Sequence, residues 1–292
     1  MANSFNCEAY GKWILAGEHA VLRGCPALVF PLKNQKMILN YTDNNSDLSI
    51  KLSGPYGESL KLLVWGIIET VVEKLNIKRD MLKGEVLIES HLPLGAGLGA
   101  SAALCVLMGR WFSFLGYVKA NEIYEFSRSL EDMFHGESSG VDIAVALEGE
   151  AIEFHRGGDR TPLEVNWNPQ WFLSSCGHIG VTNECVQQVK NLYLKDPSKS
   201  VLDKQMKEAV LEAKKALSMT SKEEGLEMLG SAIKKAERCF TQWGLSKGEL
   251  GEHITSLYDQ GAIAVKPTGS GGGGYVLSLW DSDPNDEQLI AL

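Results

Sequence analysis

PLGAGLGASAA, residues 93–103, sets Gly95, Gly97 and Gly99 at alternate positions and then turns at once to alanine, serine and apolar residues. Glycine costs stability wherever its conformational freedom is not needed. Upstream, GEVLIES (84–90) reads as a strand, and downstream residues 100–115 read as a helix. The stretch therefore leaves a strand and enters a helix with Ser101 in the first turn. A helix start presents unpaired N–H groups and partial positive charge, and glycines ahead of it let the backbone wrap closely around an anion. An ordinary strand-to-helix turn needs one glycine rather than three. No lysine follows Gly99, which excludes the GK[ST] type of phosphate loop. The next segment, NEIYEFSRSLEDMF, reads as a second helix where a dinucleotide fold needs a strand ending in an acid. The reading is a phosphate loop of another design, formed by Pro93, Gly95, Ala96, Gly97, Leu98, Gly99, Ala100 and Ser101.

Three more segments carry chemistry. AYGKWILAGEHAVLRGCPAL (9–28) puts Lys12 inside an apolar strand pattern, with Glu18 and His19 in a turn after Gly17. Lys12 is either a strand residue snorkelling to solvent or part of a pocket wall. SLEDMFHGESSGVDIAVALEGE (129–150) ends one helix near Glu131, passes through a loop, and opens the next element with Asp142 between Val141 and Ile143. An acid so flanked is an exposed N-cap, or else an interior base or metal ligand that needs compensation by cations or hydrogen bonds. KPTGSGGGGYVLSL (266–279) has four consecutive glycines, more than a hairpin requires. They would let the loop lie against a ligand or another backbone.

Working outward, residues 5–15 and 35–53 read as strands with a turn at 43–46. Residues 60–75 and 120–134 read as helices, and 141–155 as extended. Segment 156–170, rich in Gly, Asp, Pro and Asn, is the candidate junction between domains 1–165 and 166–292. Segment 200–243 reads as amphipathic helix broken near 218–221 and again at Gly244, followed by a strand pair at 262–266 and 274–280. The 292 residues suffice for one large or two ordinary domains. Six cysteines without a CxxC pair point to reduced thiols in a cytoplasmic protein, and the start of the chain has no signal-peptide pattern. No apolar stretch is long enough to span a bilayer, and the histidines form no zinc pattern. A net charge of −9 argues against nucleic acid as partner, although local groups still set the potential of a small pocket.

Three ordered motifs, 9–28, PLGAGLGASAA and KPTGSGGGGYV, resemble those of the GHMP kinases, which phosphorylate small molecules with ATP. GEHAVLRG and HGESSGVD look most like the branch that acts on the primary hydroxyl of mevalonate. The eleven residues from Glu131 to Asp142 match that branch's spacing between metal acid and catalytic aspartate. VTNECVQQV (181–189) keeps Thr182 of a Ser-Thr pair but has Val181 for the serine; Ala100 and Pro267 are two further departures. The resemblance implies a two-domain α/β (α+β) fold, with an N-terminal ribosomal-protein-like αβ sandwich and a C-terminal ferredoxin-like domain. It implies ATP and Mg²⁺ as cofactors, Asp142 and Lys12 as catalytic residues, and Ser101 and Glu131 as metal ligands. It further implies Glu18, His19 and Thr182 in the acceptor pocket. Related kinases are often dimers, so a homodimer is the implied assembly. A phosphorylated acceptor would call for extra basic residues, for which Arg23 and Arg156 are candidates. A family member that binds nucleotide without catalysis would usually lack the lysine, the metal acid or the base.

Overall fold

The computed structural model describes residues 3–135 and 138–292, the Phe134 and His135 side chains excepted. It divides into two compact units. One comprises Met1–Lys12 with Pro31–Gly149, the other Trp13–Phe30 with Glu150–Leu292. The division falls inside strands β1 (Ser4–Ala16) and β2 (Ala27–Asp47), where the sequence reading places a single junction within 156–170.

In the first unit, β3 (Ser49–Ser53) runs parallel to β4 (Lys83–Ser90), and β4 pairs antiparallel with the later part of β2, Leu39 opposite Ile88. Helix α1 (Lys61–Lys74) makes the crossover from β3 to β4. Residues 43–46 do not end β2 as expected. Asn45 takes a positive φ and the register shifts between Thr42 and Asp47, so the turn-forming residues are absorbed in an irregularity of one long strand. Helix α2 (Ala100–Phe114) is apolar nearly all round, with Ala102–Met108, Trp111 and Phe112 buried, as a helix at the centre of a layer requires. It packs on α3 (Ile123–His135) and α4 (Val141–Glu148). Helix α4 corrects the extended reading of 141–155. Gly140 and Gly149, both left-handed, bracket a two-turn helix, and only Ile152–Phe154 continue as strand β5.

In the second unit, the start of β2 pairs with β5, which pairs with β6 (Arg160–Pro162). A second sheet contains β7 (Gln170–Ser175), β8 (Ala264–Pro267), β9 (Tyr275–Trp280) and β10 (Ile290–Ala291), all neighbours antiparallel, in the order β10-β7-β9-β8. That order and those directions are ferredoxin-like. The first crossover is expanded into α5 (Thr182–Lys195), α6 (Val201–Leu217), α7 (Lys222–Trp243) and α8 (Glu249–Asp259). The second is the non-helical segment 281–289. The expected breaks appear between α6 and α7 and at Gly244, a left-handed C-cap. Phe172, Leu250, Ile254, Leu257, Val265, Val276 and Trp280 form a core under this sheet. Among the described residues no helix is long and apolar enough to cross a membrane, and all six cysteines are free.

Candidate active site

The glycine stretch joins β4 to α2. Gly95, Gly97 and Gly99 have φ of +75°, +77° and +79°, a region that side chains resist. A Cβ at Gly95 or Gly97 would meet nothing within 4 Å, so the exposed rim of the loop faces open space. Leu98 and Ala100 are buried, so their contribution to a ligand would come from the backbone. Gly99 is the N-cap of α2 and supplies no side-chain cap, which leaves first-turn N–H groups without the usual side-chain acceptor.

The loop ends against Lys12. A Cβ on Gly99 would lie 2.8 Å from Lys12 Cγ, and Lys12 N–H donates to the Leu98 carbonyl at 2.9 Å. Lys12 is buried, and its Nζ lies 3.2 Å from Asp142 Oδ2. Asp142 occupies the first turn of α4, where the helix dipole favours a carboxylate. Glu131 arrives from α3 because it falls on that helix's buried stripe, with Tyr124, Ser127 and Leu130. Its carboxyl is pushed up to about 8, first by burial and then by the charge of Asp142, with Ser138 and Lys12 acting in the opposite direction. Ser138 was not singled out in the sequence. Its hydroxyl donates to Glu131 Oε2 at 2.6 Å and accepts from Gly140 N–H at 3.0 Å, while its own N–H donates to Asp132 Oδ1 at 2.8 Å. The motif's Gly136 and Glu137 lie outside the described residues. Ser101 is half-buried in the first turn of α2.

The second unit gathers the GEH turn and the third motif. Glu18 is buried and ion-paired at 2.5 Å with Lys266, which also donates to the carbonyls of Ile14 and Pro267. The pair fastens the GEH turn to the strand that leads into the glycine run. Lys266 went unrecognised in the sequence because it resembles an ordinary strand-flanking lysine. Thr268 and Ile14 exchange two hydrogen bonds, N–H to Oγ1 at 2.8 Å and hydroxyl to carbonyl at 3.1 Å. His19 has φ +57°, is buried, and its Nε2 lies 2.8 Å from the Ser270 carbonyl. A carbonyl only accepts, so Nε2 carries the proton; burial, the leading cause, holds the imidazole down at about 4. Ser270 hydroxyl donates to Thr182 Oγ1 at 3.3 Å, so His19 and Thr182 bracket one residue of the third motif. Within the glycine run, Gly271 and Gly272 lie against the side chains of Phe240, Leu245 and Cys185, and Gly273 lies against another backbone. A Cβ on Gly273 would lie 2.6 Å from Gly180 N, one on Gly180 would lie 2.5 Å from Gly271 O, and Gly274 N–H donates to the His178 carbonyl at 2.7 Å.

The family model "GHMP kinases N terminal domain" matches residues 63–150, which include the phosphate loop, Glu131 and Asp142. The chain is 28% identical over 297 residues to the mevalonate kinase of Pyrococcus horikoshii, covering 93% of this chain and 87% of that one. It is 29% identical over 315 residues to the mevalonate kinase of Pyrococcus furiosus, covering 97% and 90%. The chain thus resembles the GHMP kinases both in its N-terminal family match and along nearly its whole length. Its GHMP kinase fold is matched by the crystal structure of L. major mevalonate kinase in complex with R-mevalonate, with a TM-score of 0.78 at 22% identity, covering 96% of this chain and 88% of that one. The structure brings Lys12, Asp142, Glu131 and the end of the phosphate loop together in one unit. It brings Glu18, His19 and Thr182 around the third motif in the other.

Proposed function

We propose that the chain is a mevalonate kinase, transferring the γ-phosphoryl group of ATP to the primary hydroxyl of mevalonate. One observation carries the catalytic part: the run of contacts from Gly99 through Lys12 to Asp142, with the buried Glu131 carboxyl beside Asp142. The names of relatives aligned over nearly the full length support mevalonate as acceptor. So does the state of the two candidate arginines. Arg23 is held by both oxygens of Asp203, at 2.6 and 2.7 Å, and Arg156 donates to the Leu22 carbonyl, so neither is arranged to receive a second phosphate.

Phosphoryl transfer asks for positioning and charge neutralisation more than covalent chemistry. The open rim of Pro93–Ser101 and the uncapped first turn of α2 are assigned to the nucleotide phosphates. Asp142 accepts the proton of the attacking hydroxyl as the bond from its oxygen to the γ-phosphorus forms and the bond to the ADP oxygen breaks. Lys12, paired with that carboxylate at 3.2 Å, orients it and offsets negative charge on the reacting oxygen. Glu131 and Ser101 are assigned to Mg²⁺. A cation held there would relieve the two largest effects that oppose ionisation of Glu131, its burial and the charge of Asp142. Among the described residues no three acidic, histidine or cysteine side chains form a closed cage, which suits an ion that keeps waters and phosphate oxygens in its shell. Bound there, Mg²⁺ supplies charge neutralisation to the transferred group. His19 and Thr182 are assigned to the acceptor. Glu18, engaged by Lys266, is assigned to holding the GEH turn in place.

The test is ADP release from ATP and Mg²⁺ with mevalonate, phosphomevalonate or galactose as acceptor. Mevalonate should support turnover, and Asp142→Asn should lower kcat by roughly 10²–10⁴-fold while leaving ATP binding near wild type. Turnover with another acceptor alone would reassign the substrate. Near-normal turnover in Asp142→Asn would remove the base.

A further inference from the structure

His19 is fixed on its carbonyl side by Ser270. Its ring also packs edge-on against Phe240 and Trp243, and Trp243 begins a chain of side chains that the proposed reaction does not use. Trp243, at the end of α7 and 2% exposed, sets its ring edge-on to the imidazole, centroids 5.1 Å apart. The indole is itself held, because Nε1–H donates to the Tyr193 hydroxyl at 3.0 Å. The Tyr193 hydroxyl donates onward to Asp203 Oδ1 at 2.9 Å, from α5 to α6. Asp203 receives the Arg23 fork at 2.6 and 2.7 Å, and the Arg23 guanidinium lies 4.6 Å above the Tyr193 ring. Arg23 ends the single 3-10 turn that follows His19, so the chain of contacts closes on itself. A second circuit shares Tyr193. Helix α5 carries Thr182 at its first residue and Tyr193 near its last turn, and Thr182 meets Ser270, which holds His19.

A hydroxyl that accepts from one buried donor and donates to a charge-paired carboxylate has one orientation, and it transmits that orientation to both neighbours. We infer that Tyr193 is a positioning residue for the acceptor: through Trp243 and helix α5 it sets the placement of His19 and Thr182, and hence acceptor affinity, without touching the acceptor. This rests on the reading that His19 and Thr182 serve the acceptor. Burial pushes the Tyr193 phenol up to about 12, so it stays a donor across the working pH range.

Tyr193→Phe keeps the ring under Arg23 and removes only the hydroxyl. Its KM for mevalonate should rise about tenfold, with kcat within a few-fold of wild type and KM for ATP unchanged. Trp243→Phe should do the same, and the double variant should be no worse than either single one, because both delete one interaction. Tyr258→Phe, which removes a hydroxyl that accepts from Val265 N–H elsewhere in the same unit, controls for general loosening and should leave the mevalonate KM unchanged. A second readout needs no substrate. In protein labelled with ¹⁵N-histidine, Tyr193→Phe should shift the His19 ring resonances, and Tyr258→Phe should not. If wild type does not use mevalonate, the substrate assignment fails and the resonances still decide the positioning role. Unmoved His19 resonances, an unchanged mevalonate KM in an active enzyme, or additive single variants would each overturn the inference.

Discussion

On the buried face of α3, Glu131 takes a place that the helical stripe would give to an apolar side chain. The cost of that place depends on pH in a definite direction. The carboxyl is raised from 4.5 to about 8, so between these values the unfolded chain has lost the proton and the folded protein keeps it. The folded state then binds more protons, and its stability falls as pH rises through the window. Glu131→Gln should therefore raise the Tm of cation-free protein at pH 8, with the gain shrinking towards pH 5. Calorimetry at the two pH values checks this, and a gain independent of pH would mean that burial does not penalise the charge. The same variant should need more Mg²⁺ for turnover. At this scale the residues were legible but their neighbours were not. Lys12 and Asp142 stand 130 positions apart, and only resemblance to a family paired them in the sequence. Ser138 gave no signal, because a serine in a Ser-Gly loop is ordinary turn chemistry.

The glycine-marked elements look alike in sequence and differ in what surrounds them. Gly95 has a left-handed backbone and open space beyond it, whereas Gly180 is pressed against Gly271 and Gly273. Gly180→Ala should lower stability by about 1–3 kcal/mol, the usual cost of forcing a methyl into packed surroundings. It should also weaken mevalonate binding through Thr182, two residues on. Gly95→Ala meets only the conformational penalty of about 1–2 kcal/mol, yet its methyl would project into the space assigned to phosphate, so the KM for ATP should rise more than that of Gly180→Ala. Thermal melts and the two KM values separate the cases. Elements with a strong period or clear punctuation were readable: α1, α2, and the α6–α7 break with its Ser221 cap. Those that failed had physical reasons. VDIAVALE is a short apolar run whose period does not distinguish a buried strand from a buried helix, and flanking left-handed glycines made it helix. Strands β5, β6 and β10 have three, three and two residues, too few to show alternation.

The sequence of the whole molecule pointed to reduced thiols through its scattered cysteines, all six of them free, and to a two-domain α/β architecture only through family resemblance. It did not report how the compact units divide the chain. A change of composition at 156–170 marks where the later strands begin, but nothing in a linear reading shows that Trp13–Phe30 cluster with residues after 150. That membership decides how the protein can be dissected. Lys266 is fully buried, and its carboxylate partner, Glu18, belongs to the distant stretch. A recombinant fragment of residues 150–292 would keep the ammonium and lose the acid, and an interior charge stripped of its partner typically costs about 3–5 kcal/mol. The fragment should stay unfolded by circular dichroism and recover structure when a synthetic peptide of residues 13–30 is added, more weakly if the peptide carries Glu18→Gln. Proteolytic nicking near residue 150, by contrast, would leave a product whose pieces still depend on one another, so the size of a band on a gel would say little about where this protein can be taken apart.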